Sequence, residues 1–125
     1  MRVLLIDDDD LFREVTRLML ESGGHEVVEA RDGSDGMALF QQQPFEAVVT
    51  DLIMPQDEGI VTIRNIRALN KKVRIVAMSG SARMPGVDFL KMAARLGATH
   101  ALAKPFEKEE LLACIEGPEP ADEHS

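Results

Sequence analysis

The sequence predicts an α/β domain of (βα)5 type, a doubly wound five-stranded parallel sheet with helices on both faces. Short apolar runs alternate five times with segments of helical periodicity, and that order requires right-handed crossovers and therefore parallel strands. The runs are short and apolar on both faces, as buried parallel strands are. A chain of 125 residues, 45% hydrophobic, supports one domain with one core, because folding at this size removes roughly 68% of the unfolded surface from water.

Val3 to Ile6 forms the first strand and stops at Asp7-Asp8-Asp9-Asp10. Leu11, Phe12, Val15, Leu18 and Met19 then recur at helical spacing behind an Asp9 or Asp10 N-cap, and Gly23-Gly24 ends that helix. Val27 to Ala30 is a weaker strand; Asp32-Gly33-Ser34-Asp35 turns into a helix carrying Met37, Ala38, Leu39 and Phe40, closed by Pro44. Phe45 to Thr50 is the third strand and ends on Asp51, with a loop over Pro55-Gln56-Asp57-Glu58-Gly59 before a helix traced by Ile60, Ile63, Ile66 and Leu69. Val73 to Met78 runs into Ser79-Gly80-Ser81 and a loop with Pro85-Gly86; a helix from Val87 to Leu96 follows, capped by Gly97. Thr99 to Ala103 is the last strand, before Lys104-Pro105 and a helix from Glu107 to Ile115 whose acidic start suits the macrodipole. The expected domain covers residues 1–116, and the acidic, proline-bearing segment 117–125 is expected to be a disordered tail.

Lys and Arg number 14 against 22 Asp and Glu, and the net charge of −8 repels nucleic-acid phosphates and anionic membrane surfaces. No apolar stretch approaches the ~20 residues of a membrane span. The N-terminus has no signal-peptide pattern, and the lone Cys114 has no partner for an internal disulfide. The expectation is a soluble, cytoplasmic protein with no direct nucleic-acid partner and no membrane partner.

In open parallel sheets, ligands bind beyond the carboxyl ends of the strands. Polar residues stand at four such ends: Asp7 and Asp8 after the first strand, Asp51 after the third, Ser79 after the fourth and Lys104 after the fifth. Three carboxylates brought together repel one another unless a proton or metal neutralises them. An all-oxygen donor set without His or Cys suits Mg²⁺ and does not suit zinc. The Lys104 ammonium and the Ser79 hydroxyl complement the oxygens of a phosphoryl group, so aspartyl phosphate is the chemistry these residues suggest.

The motifs Ile6-Asp7-Asp8, Asp51-Leu52-Ile53-Met54-Pro55 with Gly59 beyond it, Ser79-Gly80 and Lys104-Pro105-Phe106 appear in that order. In this the chain, from Arg2 to Ile115, resembles the receiver domain of two-component response regulators, the CheY-like superfamily. The resemblance implies a flavodoxin-like fold with strand order 2-1-3-4-5. It implies Asp51 as phosphoacceptor, Asp8 and Asp51 as direct Mg²⁺ ligands, Asp7 as a ligand through water, and the Ile53 backbone carbonyl as a further ligand. Ser79 and Lys104 would contact the phosphoryl oxygens, and the Lys104–Pro105 peptide is often cis in this family. The implied donor is a histidine kinase or histidine phosphotransfer protein, and the implied output is a downstream protein target. Such a domain is not an enzyme beyond assisting its own phosphotransfer and autodephosphorylation.

The chain departs from the family pattern at Ala101, three residues before Lys104, where many members carry Tyr or Phe. The aromatic half of the usual switch is missing, and strand alternation turns the neighbouring His100 to the opposite face. The segment from Ser79 to Gly97 is longer than in the compact chemotaxis type, and mobility is expected around Ser81 to Gly86. Ile53 places an apolar side chain near the acceptor, where it could shield an acyl phosphate from water.

Plainer readings apply to several residues. Asp9 and Asp10 suit helix capping. Ser79 alone could start a turn, Asp51 alone could cap one, and Lys104 alone could be a surface lysine; their conjunction favours function. His25, His100 and His124 have no metal-ligand spacing and are expected at the surface. Cys114 and the scattered methionines are expected to pack in the core.

A stand-alone phosphoacceptor is the leading expectation, with the N-terminal receiver of a larger regulator as one alternative. A phosphorylation-independent module would lack an acid, the serine or the lysine, and none is missing. An aspartyl phosphohydrolase, imitated by Asp7 and Asp9, would need a substrate cap that 125 residues cannot supply. Flavin or nucleotide binding fails because Asp7 to Asp10 occupy the place of a phosphate loop.

Overall fold

The computed structural model describes residues 1–52, 58–80 and 89–118. The elements run β1 (Arg2–Ile6), α1 (Asp10–Ser22), β2 (Glu26–Ala30), α2 (Gly33–Gln42), β3 (Ala47–Asp51), α3 (Glu58–Leu69), β4 (Arg74–Ser79), α4 (Phe89–Leu96), β5 (His100–Ala103) and α5 (Lys108–Glu116). All four strand pairings are parallel, and the sheet order is β2-β1-β3-β4-β5. This is the expected flavodoxin-like (βα)5 fold.

Two apolar layers sandwich the sheet. On one face Leu4, Ile6, Val48, Ile75 and Ala77 pack with Met37 and Phe40 of α2, Ile63 and Ile66 of α3 and Ala93 of α4. On the other, Val3, Leu5, Val49, Val76 and Met78 pack with Leu20 of α1 and Leu111 and Ile115 of α5. Consecutive strand residues feed opposite layers, which explains why the strands read as unbroken apolar runs. Ala101 joins the first layer and Leu102 the second.

The periodicity on α1 requires a correction. Leu11, Phe12, Val15, Leu18 and Met19 recur at helical spacing, but the face that packs inward is Phe12, Thr16, Met19 and Leu20. Leu11, Val15 and Leu18 form an adjacent stripe that stays 70%, 41% and 54% exposed. Thr16 is accepted inside because its hydroxyl donates to the Phe12 carbonyl at 2.8 Å. Phe45 is also displaced from expectation: it precedes β3, buried, with its ring stacked on Phe40 at 6.3 Å. His25 is not a surface residue either, since its side chain is 7% exposed and Nε2 lies 2.7 Å from Glu116 Oε2.

Caps appear where the sequence places them. Asp9 accepts the Phe12 N–H at 3.0 Å, Asp32 accepts the Asp35 N–H at 2.8 Å, and Glu110 accepts the Glu107 N–H at 2.9 Å. At the opposite end of the sheet, two arginines hold helix C-termini. Arg67 donates to the Gly97 carbonyl at 2.9 Å and to the Asn70 carbonyl at 3.2 Å, after α4 and α3 respectively. Arg74 donates to the carbonyls of Cys114 (2.9 Å) and Gly117 (2.6 Å) at the end of α5. Each supplies positive charge and donors where the last helical carbonyls lack partners. Gly97 has φ +112°, a conformation that disfavours any side chain.

Met19, Met37, Met78 and Met92 pack in the two layers as expected. The expectations for Ile53, Met54, Met84, the loop from Ser81 to Gly86, the start of the fourth helix at Val87, and the tail beyond Pro118 lie outside the described residues. Among the described residues no helix is long and apolar enough to cross a membrane.

Candidate functional site

The strand register sets the site. Ile6 pairs with Thr50, Asp51 with Met78 and Ser79 with Ala103, so the residues following these positions share the C-terminal end of the sheet. Gly59 adds a constraint from α3: a Cβ there would collide with the main-chain carbonyls of Asp51 and Leu52. The helix can close on the end of β3 only because this residue has no side chain.

Asp7 is fully buried and held from every side. Its N–H donates to the Ala30 carbonyl at 3.2 Å, and its own carbonyl accepts from Arg13 Nη1 at 2.7 Å. Its carboxylate accepts the Asp9 N–H at Oδ1 (3.0 Å) and Lys104 Nζ at Oδ2 (2.8 Å). Asp51, only 5% exposed, accepts the same Nζ at 3.2 Å. Asp8 is exposed at the rim, and one carboxylate oxygen from each of Asp7, Asp8 and Asp51 lies within 4.8 Å of the others.

Lys104 follows β5 through a cis peptide to Pro105, and its N–H donates to the Ser79 carbonyl at 2.8 Å. Burial, the largest single influence, pulls its pKa down, but the hydrogen bonds and charges of Asp7 and Asp51 outweigh it and hold the pKa above the ordinary lysine value. The ammonium also lies 4.2 Å from the centroid of the Phe12 ring. A crevice of about 470 Å³ opens here, lined by Asp8, Asp9, Phe12, Asp51, Gly80, Lys104 and Pro105.

The structure thus brings together Asp7, Asp8, Asp51 and Lys104. Ser79 ends β4 at the same edge, half-buried, with its hydroxyl 3.5 Å from the Gly80 carbonyl. Ile53 lies outside the described residues. Two residues of this neighbourhood have no motif to announce them. Phe12 reads as one more core position on α1, and Arg13 as a surface charge. The one available signal is the spacing from Asp10 to Arg13, where Nη2 meets Oδ1 at 2.8 Å in a helical i,i+3 pair.

The donor set matches a hard divalent cation. Three carboxylates converge, two of them buried, and Lys104 supplies a single positive charge beside them. Oxygen-only coordination of this kind suits Mg²⁺.

A parallel sheet of this order with three acids and a lysine at its C-terminal edge defines a doubly wound α/β domain of receiver type. Residues 3–116 match the family model for the response regulator receiver domain, and the chain belongs to that family of two-component signalling domains. Among curated relatives it is 34% identical over 116 residues to the response regulator MprA of Mycolicibacterium vanbaalenii, covering 90% of this chain and 47% of MprA. It is 33% identical over 115 residues to the cell cycle response regulator CtrA of Brucella ovis, covering 92% and 48%. The chain therefore spans about half the length of the curated relatives it matches. Among solved structures, a receiver domain protein from Clostridium thermocellum superposes with a TM-score of 0.82 at 26% identity, covering 91% of this chain and 90% of that one. A response regulator from Burkholderia pseudomallei, solved with a phosphorylated aspartic acid, a calcium ion and citrate, gives 0.81 at 28% identity, covering 93% and 66%.

Proposed function

We propose that this domain is a phosphoacceptor switch in which Asp51 takes a phosphoryl group from a histidine kinase or histidine phosphotransfer protein and passes the signal to a downstream protein target. The observation that carries this reading is the bifurcated reach of Lys104 to Asp7 and Asp51 inside a three-carboxylate cluster. A half-buried ammonium already bonded to the acceptor carboxylate is placed to meet the oxygens of a phosphoryl group arriving there.

In the transfer, the P–N bond of a phosphohistidine breaks as a P–O bond forms to an Asp51 carboxylate oxygen, and the imidazole leaves with the electron pair. Asp8 and Asp51 would hold Mg²⁺ directly, with Asp7 acting through water and the Ile53 carbonyl as a further ligand. When bound, the ion offsets the charge of the carboxylates and of the phosphoryl oxygens. Lys104, and Ser79 at the end of β4, take the remaining phosphoryl oxygens. The domain assists its own phosphorylation and autodephosphorylation and is otherwise not an enzyme; it would act in the cytoplasm.

Support for the partner class comes from α1, which starts at the crevice rim. The exposed stripe of Leu11, Val15 and Leu18 offers an apolar rail beside the crevice, suited to a helical phosphodonor. A second reading places the domain within a longer regulator, favoured by the relatives being about twice as long. The mass of the protein isolated from its source separates the two.

The primary test is intact mass after incubation with acetyl phosphate and Mg²⁺. One phosphate on the unaltered chain and none on Asp51→Asn is the expected result. An unlabelled chain, with acetyl phosphate and with a panel of phosphorylated phosphotransfer proteins, would favour an interaction module that has kept the fold without the chemistry.

A further inference from the structure

We propose that Phe12 is a positioning residue for Lys104, a neutral seat that keeps the ammonium at the crevice mouth once the carboxylates turn to a metal ion and a phosphoryl group. This rests on the reading of Asp51 as phosphoacceptor.

The geometry has three parts. Lys104 Nζ lies 4.2 Å from the Phe12 ring centroid while it bonds Asp7 at 2.8 Å and Asp51 at 3.2 Å. The ring is itself fixed, because Phe106 meets it edge-to-face with centroids 5.4 Å apart and planes at 90°. Phe106 is buried and only two residues beyond Lys104, so the cation and the ring that braces its seat belong to one short segment.

An aromatic face attracts an ammonium through its quadrupole, and it neither gives up a proton nor ligates Mg²⁺. Asp7 and Asp51 differ from it on this point, since both belong to the acidic cluster that a cation would draw on. When that cluster is engaged, the attraction of Lys104 to the two carboxylates weakens. A lysine side chain is flexible and strongly hydrated, and until a phosphoryl oxygen reaches it, it disperses into water unless another partner holds it. Phe12 remains as a partner that loading does not consume. Its position on α1 also puts the Lys104 contact on the α1–α5 side, whereas Ala101 on β5 offers no ring on the other.

The test compares Phe12→Leu, which keeps an apolar side chain without a ring, with Phe12→Tyr, which keeps the ring. Labelling rates are read by intact mass with acetyl phosphate at saturating Mg²⁺. Mg²⁺ affinity is read by titrating the melting temperature. Lys104 side-chain protons are followed by NMR in the unaltered chain before and after Mg²⁺ and beryllofluoride. Loss of an exposed to half-buried cation–π contact corresponds to labelling about two- to tenfold slower in Phe12→Leu. The expected pattern adds recovery in Phe12→Tyr, unchanged Mg²⁺ affinity in both variants, and an upfield ring-current shift of Lys104 that survives beryllofluoride. Equal labelling of Phe12→Leu and the unaltered chain overturns the inference, as does loss of the ring-current shift on loading. Slow labelling that tracks weakened Mg²⁺ affinity, or that Phe12→Tyr fails to recover, also overturns it by assigning Phe12 a structural role. An unaltered chain that takes no phosphate from acetyl phosphate or from a panel of phosphorylated phosphotransfer proteins overturns the reading of Asp51 itself, and this inference with it.

Discussion

Lys104 Nζ and Asp7 Oδ2 lie 2.8 Å apart, joining residues 97 positions apart in the chain across the C-terminal end of the sheet. Their side chains are 14% and 0% exposed, so this pair is largely withdrawn from solvent. Removing one member of such a pair leaves an uncompensated charge, a loss of about 3–5 kcal/mol. Lys104→Met is expected to lose stability on that scale in urea melts without Mg²⁺, and to regain much of it when Mg²⁺ is added. A loss under about 1 kcal/mol would show the pair to be no stronger than a surface ion pair.

Mg²⁺ alone is expected to raise the melting temperature of the unaltered chain by several degrees, because a ligand that binds only the folded state at about 100 times its Kd adds about 2.7 kcal/mol. Asp8→Asn removes the exposed acid of the cluster and is expected to abolish most of that rise. No shift in the unaltered chain at millimolar Mg²⁺ would count against a competent metal site.

Gly59→Ala tests the closure of α3 onto β3. The added methyl would strike the Asp51 and Leu52 carbonyls, which are backbone and cannot swing aside. The expected cost is about 1–3 kcal/mol, with slower phosphate labelling as the end of β3 shifts. Denaturant unfolding and acetyl phosphate labelling of the same variant check both parts, and full stability would show that the approach is looser than described.

Arg74→Ala removes two donors from the end of α5. With charged hydrogen bonds contributing about 1.5–3 kcal/mol each at most, and partial replacement by water, the expected destabilisation is about 1–3 kcal/mol. Amide exchange should rise first in the last turn of α5. Exchange that rises uniformly instead would deny Arg74 a local capping role.

Cys114 supplies the pH dependence. Burial and then Glu110 raise its thiol pKa, against a lowering by Arg74, to a net value above the ordinary 9.0. A raised pKa keeps the native thiol protonated where the unfolded chain already ionises. Its contribution to stability is therefore complete below the ordinary value and is lost as pH rises through the raised one. Iodoacetamide alkylation of the native protein is expected to inflect above pH 9.0, and an inflection below it would contradict the half-buried placement.

Much of this fold is written locally. Val3 to Ile6 and Val73 to Met78 could be assigned because strands buried on both faces have no alternation to obscure, and Asp9 and Asp32 because a capping side chain needs only its own next turn. The convergence of Asp7, Asp8, Asp51 and Lys104 was legible through motif order, since each stands at a strand end and parallel register aligns those ends. What escaped is tertiary. The α1 periodicity covers two adjacent stripes, and only packing decides that Thr16 goes inward while Leu18 stays out. Phe12 over Lys104, Arg13 on the Asp7 carbonyl and His25 against Glu116 join residues from separate elements, and no local pattern encodes such meetings.

The grip of Arg74 on the Gly117 carbonyl has a practical consequence. Arg74 and Ser79 are the two ends of one six-residue strand, which at about 3.3 Å per residue separates them by roughly 17 Å. A dye, an affinity handle or a fused reporter joined after this carbonyl would leave from a fixed anchor on the far side of the molecule from the acids. It could register events in the crevice without obstructing any visitor to it.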